Sequence, residues 1–155
     1  MPTTDRRHVC AATCVDRARA SRYPAGVFIS EAVTRNIRVR VQSSYVPERY
    51  EPEHGSWFFI YTVEIANQSQ ETAQLVSRHW IITDANGAVH EVRGPGVVGE
   101  QPTLGPGESF TYTSACPLET AFGTMHGTYQ LVTKSGERFD AQIAAFSLGE
   151  PHAIN

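Results

Sequence analysis

The sequence has few cysteines, no signal for secretion and few charged residues. Its three cysteines are an odd number, which does not suit a disulfide framework. Arg17, Arg19 and Arg22 interrupt the only apolar stretch near the start, so no secretory signal is expected and the cytoplasm is the expected location. With 41% hydrophobic and 19% charged residues, the composition is typical of a soluble globular chain and excludes a disordered chain or a membrane span.

Basic residues are scarce in the part of the chain that is expected to fold. Residues 1–40 carry eight basic and three acidic side chains, whereas residues 41–155 carry five basic and thirteen acidic ones. An acidic domain repels a phosphate backbone at long range. Nucleic acid is therefore not an expected partner.

The length of 155 residues predicts one domain with one hydrophobic core. Residues 1–30 are rich in Ala, Arg, Ser and Thr and show no sustained apolar period, so they are predicted to form a flexible N-terminal arm. Residues 31–155 are predicted to form the domain. A chain of this size can be stable without disulfides or a structural metal.

From residue 36 onward, apolar residues recur with a period of two, which is typical of strands with one buried face. The pattern predicts about seven strands, at residues 37–41, 57–65, 75–84, 89–93, 110–115, 128–133 and 138–146. The last strand changes phase, which predicts a bulge near Ala144 and Ala145. Short strands without an amphipathic helix indicate an all-β fold, an immunoglobulin or fibronectin type III-like β-sandwich of two antiparallel sheets.

Asn86 and Gly87 lie between two of these strands and predict a hairpin with a two-residue loop. That loop would place Trp80 opposite Arg93, with Arg78 on the same face. These three side chains are a candidate recognition surface, an exposed patch of aromatic and basic groups. The alternative is a structural cation–π pair that covers the sheet. His79 would point to the other face, as a packed core histidine.

The segment after this hairpin contains Gly94, Gly96 and Gly99, which match the dinucleotide-binding string G-x-G-x-x-G. The motif has that meaning only when it opens a helix, and here no helix is predicted to follow. Pro95 also removes one backbone donor. The glycines therefore indicate a tight loop with positive φ angles, while an anion-binding nest of backbone amides is the alternative.

The residues offer no catalytic constellation, and no cofactor is expected. His8, Cys10 and Cys14 lack a fourth metal ligand nearby. A loop that contains Glu48, Glu51, Glu53 and His54 could attract a divalent cation weakly, although a solvated loop is the simpler interpretation. Cys116 has no adjacent base and is expected to be a small buried residue. No metal site is predicted.

Five segments together resemble the bacterial ApaG family. They are residues 77–84 (SRHWIITD), 94–102 (GPGVVGEQP), 104–114 (LGPGESFTYTS), 120–129 (TAFGTMHGTY) and 146–148 (FSL). The resemblance covers about residues 31–155 and does not extend to residues 1–30. It is far more specific than the glycine motif alone.

The resemblance implies a fibronectin type III-like β-sandwich whose family is linked to cobalt resistance and magnesium efflux. Related domains in eukaryotic F-box proteins are regarded as protein-interaction modules. The expected function is therefore non-catalytic binding of an unknown protein partner, linked to Co²⁺ and Mg²⁺ homeostasis. The alternative is binding of a nucleotide or pyrophosphate, with or without a divalent cation, through Gly94, Gly96 and Gly99. Both a monomer and a homodimer stay open.

Overall fold

The computed structural model describes residues 26–51 and 56–151, which form a β-sandwich without an α-helix in those ranges. The strands are β1 (Phe28–Thr34), β2 (Ile37–Tyr45), β3 (Trp57–Asn67), β4 (Ala73–Asp84), β5 (Val89–Pro95), β6 (Thr103–Leu104), β7 (Ser109–Leu118), β8 (Phe122–Thr133) and β9 (Arg138–Gly149). A short 3₁₀ turn, Pro47–Arg49, follows β2. The described part of the chain contains no helix that is long and apolar enough to cross a membrane.

The strands form two antiparallel sheets. The first sheet has the order β1-β2-β3-β7. The second has the order β5-β4-β8-β9, with the short strand β6 beside β4. The prediction of an all-β sandwich with two antiparallel sheets is confirmed.

The core is built from the alternating apolar rows that the sequence displays. In β3, the side chains of Phe59, Tyr61, Val63 and Ile65 are buried between the sheets. Alternation along a pleated strand sends every second side chain to the same face, and the hydrophobic effect selects the apolar face for the interior. The same rule orients β2, β8 and β9.

Two strands were not predicted from the sequence. β1 begins at Phe28, inside the segment assigned to the arm, and its residues are half-buried or exposed without a clear alternation. β6 has two residues, too few for a periodic pattern. Residues 1–25, which include His8, Cys10 and Cys14, lie outside the described residues, so the division into an arm and a domain stays a prediction.

The bulge in the last strand is confirmed. The register between β8 and β9 shifts between Met125 and Gly127, so that Ala144 and Ala145 together face His126. The extra residue restores Phe146 and Leu148 to the buried face, where they pack in the core. A second bulge, around Val76, shifts the register between β4 and β8.

The two long sides of the sandwich differ. On one side, β9 contacts β1 and β2, and three hydrogen bonds join the sheets. They are Ser30 Oγ to the Ala144 carbonyl at 2.9 Å, Ser43 Oγ to the Ser147 carbonyl at 2.6 Å, and the Gln142 N–H to Thr34 Oγ1 at 3.0 Å. On the other side, no hydrogen bond joins β5 to β7 within residues 26–51 and 56–151. The sandwich is therefore sealed along β9 and open between β5 and β7.

Gly127 provides a test of the packing between the strands of the second sheet. It lies opposite Trp80, and a Cβ atom at this position would come within 2.0 Å of the His79 carbonyl oxygen. We expect Gly127→Ala to lower the free energy of unfolding by about 3 kcal/mol, because two backbones must separate to make room. The corresponding fall in melting temperature is roughly 10 °C.

The measurement is urea and thermal unfolding followed by circular dichroism. His126→Ala is the matched control, since His126 is exposed and adjacent in the same strand. Equal stability of the Gly127→Ala variant and the wild type would contradict the close approach of β4 and β8.

Candidate functional site

The hairpin between β4 and β5 differs from its predicted register by one residue. Its loop has three residues, 85–87, and Trp80 lies opposite Val92 while Arg93 lies opposite His79. The Asp84 side chain explains the longer loop, because its Oδ1 accepts hydrogen bonds from the N–H groups of residues 86 and 88, at 2.9 and 3.0 Å. Gly87 closes the loop with a φ of 85°.

The one-residue shift separates the predicted recognition patch. Arg78 and Trp80 point between the sheets, whereas Arg93 points to the outer face of the second sheet. His79 was predicted to be a core residue, and this is wrong: it shares the outer face with Arg93, and its Nε2 lies 3.3 Å from Glu91 Oε1. The predicted pairing of Trp80 with Arg93 is therefore wrong too.

Trp80 is a core residue and not an exposed anchor. Its side chain is 3% exposed, and its ring packs against three aromatic rings. The ring centroids lie 5.3 Å from Tyr61, 6.1 Å from Tyr129 and 6.0 Å from Phe146, all with near edge-to-face orientations. The prediction of an exposed aromatic patch at Trp80 is therefore wrong.

Arg78 fastens the glycine loop to the second sheet. Its Nη1 donates hydrogen bonds to the carbonyl oxygens of Pro95 and Gly96, both at 2.9 Å. The guanidinium lies over Gly94, where an added Cβ would be 3.0 Å from Nη2. Gly94 thus leaves room for the arginine, because a Cβ at this position would displace the guanidinium by a few tenths of an ångström.

The other two glycines shape a tight turn. Val97 and Glu100 form an isolated bridge with two backbone hydrogen bonds, at 2.8 and 2.9 Å, around residues 98 and 99. Val98 and Gly99 have φ angles of 44° and 81°, as in a type I′ turn. Gly96 has a φ of 59°, and a Cβ there would come within 2.2 Å of the Glu100 carbonyl oxygen.

No helix follows this loop in the described residues, as predicted. Three of its amides donate within the fold: Gly96 N–H to the Val76 carbonyl, and the Val97 and Glu100 N–H groups across the turn. The loop geometry therefore explains Gly94, Gly96 and Gly99 without a ligand. Nucleotide binding at this loop gains no support from it and stays an untested alternative.

A cleft of about 540 Å³ opens between β5 and β7, on the unsealed side of the sandwich. Its wall and floor come from five strands, β3, β4, β5, β7 and β8. The lining side chains include Tyr61, Arg78, Trp80, Ile82, Asp84, His90, Val92, Ser114, Cys116, Leu118, Glu119 and Met125. The volume is in the range of ordinary ligand-binding clefts. This cleft is the candidate functional site.

The cleft is apolar in the middle and charged at its ends. Trp80, Ile82 and Val92 form the middle, with Val92 40% exposed. Because strand partners lie side by side, the register of β4 places Asp84 at one end and Arg78 at the other. The site thus combines exposed apolar surface in its middle with polar and charged side chains around it, among them Arg78, Asp84, His90 and Glu119.

Burial suppresses ionisation around the cleft. It raises the pKa of the Cys116 thiol to about 11, so this cysteine is protonated near neutral pH and is a poor nucleophile. Burial also raises the pKa of Tyr61, against the opposing effect of a hydrogen bond with Ser114. Within residues 26–51 and 56–151, no three His, Cys, Asp or Glu side chains lie together as a metal site. Glu53 and His54 of the predicted acidic loop lie outside the described residues.

Two buried tyrosines behind the cleft share a hydrogen bond. The hydroxyl groups of Tyr112 and Tyr129 contact each other between the sheets, and both side chains are buried. Burial raises the pKa of both phenols well above the ordinary value of tyrosine. Each hydroxyl satisfies the other, so neither leaves an unpaired polar atom in the core.

Most of the residues that line the cleft were not predicted from the sequence as site residues. Val92 and Met125 line it from β5 and β8, and Ser114 and Leu118 line it from β7. Their apolar alternation identified strands but not which strands face each other across a gap. The one signal in the sequence was Val92 itself, an apolar residue in a strand rich in charged neighbours.

The fold and the cleft together define a small all-β protein, a two-sheet β-sandwich with one open side. The sequence profile of the ApaG domain matches residues 47–133, which is more than half of the chain. The chain belongs to the ApaG family.

Several relatives are similar over most of their length. The chain is 56% identical over 119 residues to "Protein ApaG" of Beijerinckia indica, covering 77% of this chain and 92% of that protein. It is 57% identical over 122 residues to "Protein ApaG" of Methylobacterium sp. strain 4-46, covering 79% and 94%. The crystal structure of the putative ApaA protein from Bordetella pertussis is 49% identical with a TM-score of 0.71, covering 79% of this chain and 95% of that one.

The buried position of Trp80 predicts a large loss of stability on truncation. We expect Trp80→Ala to lower the free energy of unfolding by about 3–5 kcal/mol, because the indole fills the space between the sheets. Val92→Ala in the same hairpin is the control, with an expected loss below about 1 kcal/mol at an exposed position. Urea unfolding measures both, and a loss below about 1 kcal/mol for Trp80→Ala would contradict its place in the core.

The raised pKa values of the buried phenols and thiol predict loss of stability at alkaline pH. The unfolded chain releases protons near the ordinary values of 9.0 for cysteine and 10.0 for tyrosine, while the folded chain retains them. The unfolded state then binds fewer protons, so the free energy of unfolding falls as the pH rises. The stabilising effect is complete below about pH 9, the ordinary value of cysteine.

Urea unfolding at pH 8, 9.5 and 10.5 measures this dependence. The double variant Tyr112→Phe/Tyr129→Phe removes the paired hydroxyl groups together and should flatten the decline above pH 9.5. The same steepness in the variant and the wild type would show that these two phenols do not control it.

Proposed function

We propose that this domain is a non-catalytic protein-interaction module, whose cleft between β5 and β7 receives part of a partner protein. One observation carries the proposal: the inward face of β5 is uncovered. Val92 points toward the cleft and yet is 40% exposed, although its partner Trp80 in the neighbouring strand is buried. An inward-facing apolar side chain that no other strand covers is a site for an additional contact.

Three polar side chains of the cleft, Asp84, Arg78 and Tyr61, have partners within the fold. Asp84 accepts two backbone N–H groups, and Arg78 donates to two carbonyl oxygens. Tyr61 interacts with Ser114. Groups that are held in this way fix the shape of a surface. This supports binding over proton transfer or nucleophilic attack as the role of the site.

The resemblance to ApaG proteins extends the proposal to divalent cations. In this proposal the partner takes part in cobalt resistance or magnesium efflux in the cytoplasm, and the domain acts on the cation indirectly. The support is the family membership, since the chain is 56% identical to a "Protein ApaG" over 77% of its length. The cleft supplies the contact with the partner, and the partner supplies the cation chemistry.

Two valines of β5 provide a matched test. Val92 faces the cleft, whereas Val89 is 57% exposed on the outer face of the same strand. We expect Val92→Asp to reduce capture of the partner at least about tenfold, because a carboxylate must lose its water in an apolar contact. Val89→Asp should leave capture unchanged. Affinity capture from the native cell with quantitative mass spectrometry measures both variants.

Both variants should retain melting temperatures within a few degrees of the wild type, since both positions are exposed. The same pair tests the cation link: in a strain without the chromosomal gene, Val89→Asp should restore growth on cobalt and Val92→Asp should not. Equal capture and equal growth with the two variants would contradict the proposed role of the cleft.

A further inference from the structure

The two sheets differ in extent on the open side. On the sealed side, β9 contacts β1 and β2. Following the two strand orders from there places β7, the last strand of the first sheet, near β4 of the second sheet. β5 extends one strand further. Its inward-facing residues His90 and Val92 therefore line the cleft without an opposing strand. The first sheet is one strand short of covering the second.

β7 is an open edge next to this uncovered face. It has ten residues and pairs only with β3 in the described part of the chain. No residue of β7 is charged. Edge strands of soluble proteins are commonly protected by charged side chains. The edge strand of the second sheet across the cleft, β5, carries Glu91 and Arg93. On the side away from β3, β7 presents backbone N–H and C=O groups beside the cleft, except near its end at Pro117, which has no N–H.

We propose that β7 accepts one extended peptide segment of a partner protein as an additional strand of the first sheet, which rests on the proposed function above. Neighbouring strands lie about 4.8 Å apart, and packed sheets lie about 10 Å apart. A strand beside β7 therefore lies over β5. Its inward side chains, at every second position, pack on Val92 and the rim of Trp80, and its backbone pairs with β7.

The charges of the cleft define the chemistry of the peptide. Asp84 and Glu119 lie at one end, and neither belongs to an ion pair in the described part of the chain. Asp84 is buried and its Oδ1 accepts two backbone N–H groups, so the exposed Glu119 is the more accessible of the two. A lysine or arginine that flanks the apolar positions complements these carboxylates. The partner segment thus carries apolar residues at alternate positions and a basic residue at one end.

Charge also favours a different protein over a second copy of this chain. Two copies could pair through their β7 strands, which are both unpaired edges. However, β7 has no basic residue to place beside Asp84 and Glu119. In a self-pair, β7 itself supplies no counterion for these carboxylates, whereas a basic peptide partner neutralises them.

The test begins with selection of binders to the full chain from a random library of twelve-residue peptides. We expect the enriched peptides to share apolar residues at positions i, i+2 and i+4 and a flanking Lys or Arg. Amide chemical shifts and slowed hydrogen exchange should locate them on β7 and at Val92. Two versions of a selected peptide are then compared, one N-methylated at its odd-numbered residues and one at its even-numbered residues. One version should lose binding and the other should keep it, because only alternate amides face β7.

Charge variants give a second readout. Glu119→Lys should weaken the selected peptides by about fivefold or more, since an attraction becomes a repulsion. Asp140→Lys, which changes an exposed residue on the outer side of β9, is the matched control and should have no effect.

Three outcomes would overturn the proposal: no enriched peptide, enriched peptides that map away from β7, or binding that tolerates N-methylation of either set of alternate residues. Peptides that bind elsewhere would leave the protein-interaction role intact and refute strand addition alone. Capture that fails to distinguish Val92→Asp from Val89→Asp would contradict the proposed function itself, whatever the library shows.

Discussion

Trp80 packs between the sheets and orients the strand that carries most of the cleft floor. Its indole contacts Tyr61, Tyr129 and Phe146, and thereby fixes which face of β4 points inward. Arg78 lies two residues before Trp80 on the same face, so its guanidinium reaches the carbonyl groups of the glycine loop. Alternation along one strand thus couples the aromatic core, the glycine loop and the floor of the cleft.

The difference between the two sides of the sandwich connects this core to function. Hydrogen bonds from Ser30, Ser43 and Gln142 hold β9 against the first sheet, so this side of the sandwich is closed within the chain itself. The side between β5 and β7 has apolar surface in place of such bonds. In the proposed interaction, a partner enters this cleft without rearrangement of the core.

The glycine loop shows how one motif can have different physical causes. In a nucleotide-binding fold, glycines at this spacing let a phosphate approach the backbone. Here Gly94 makes room for Arg78, and Gly96 makes room for the Glu100 carbonyl. Gly99 adopts a positive φ angle in the turn. The absence of a predicted helix after the motif was sufficient to question the nucleotide interpretation, but the sequence could not show that an arginine occupies the space above the first glycine.

The fold class, the strands with a clear period of two, the bulge at Ala144 and Ala145 and the family could all be predicted from the sequence, because they follow from local alternation and from motif order. The sequence did not determine the register of the β4–β5 hairpin. The Asp84 side chain lengthens that loop by one residue, and a shift of one residue moves Arg93 to the opposite face. The cleft was decided only by tertiary structure, since it arises where β5 extends past β7, and no local pattern encodes how far one sheet overlaps another.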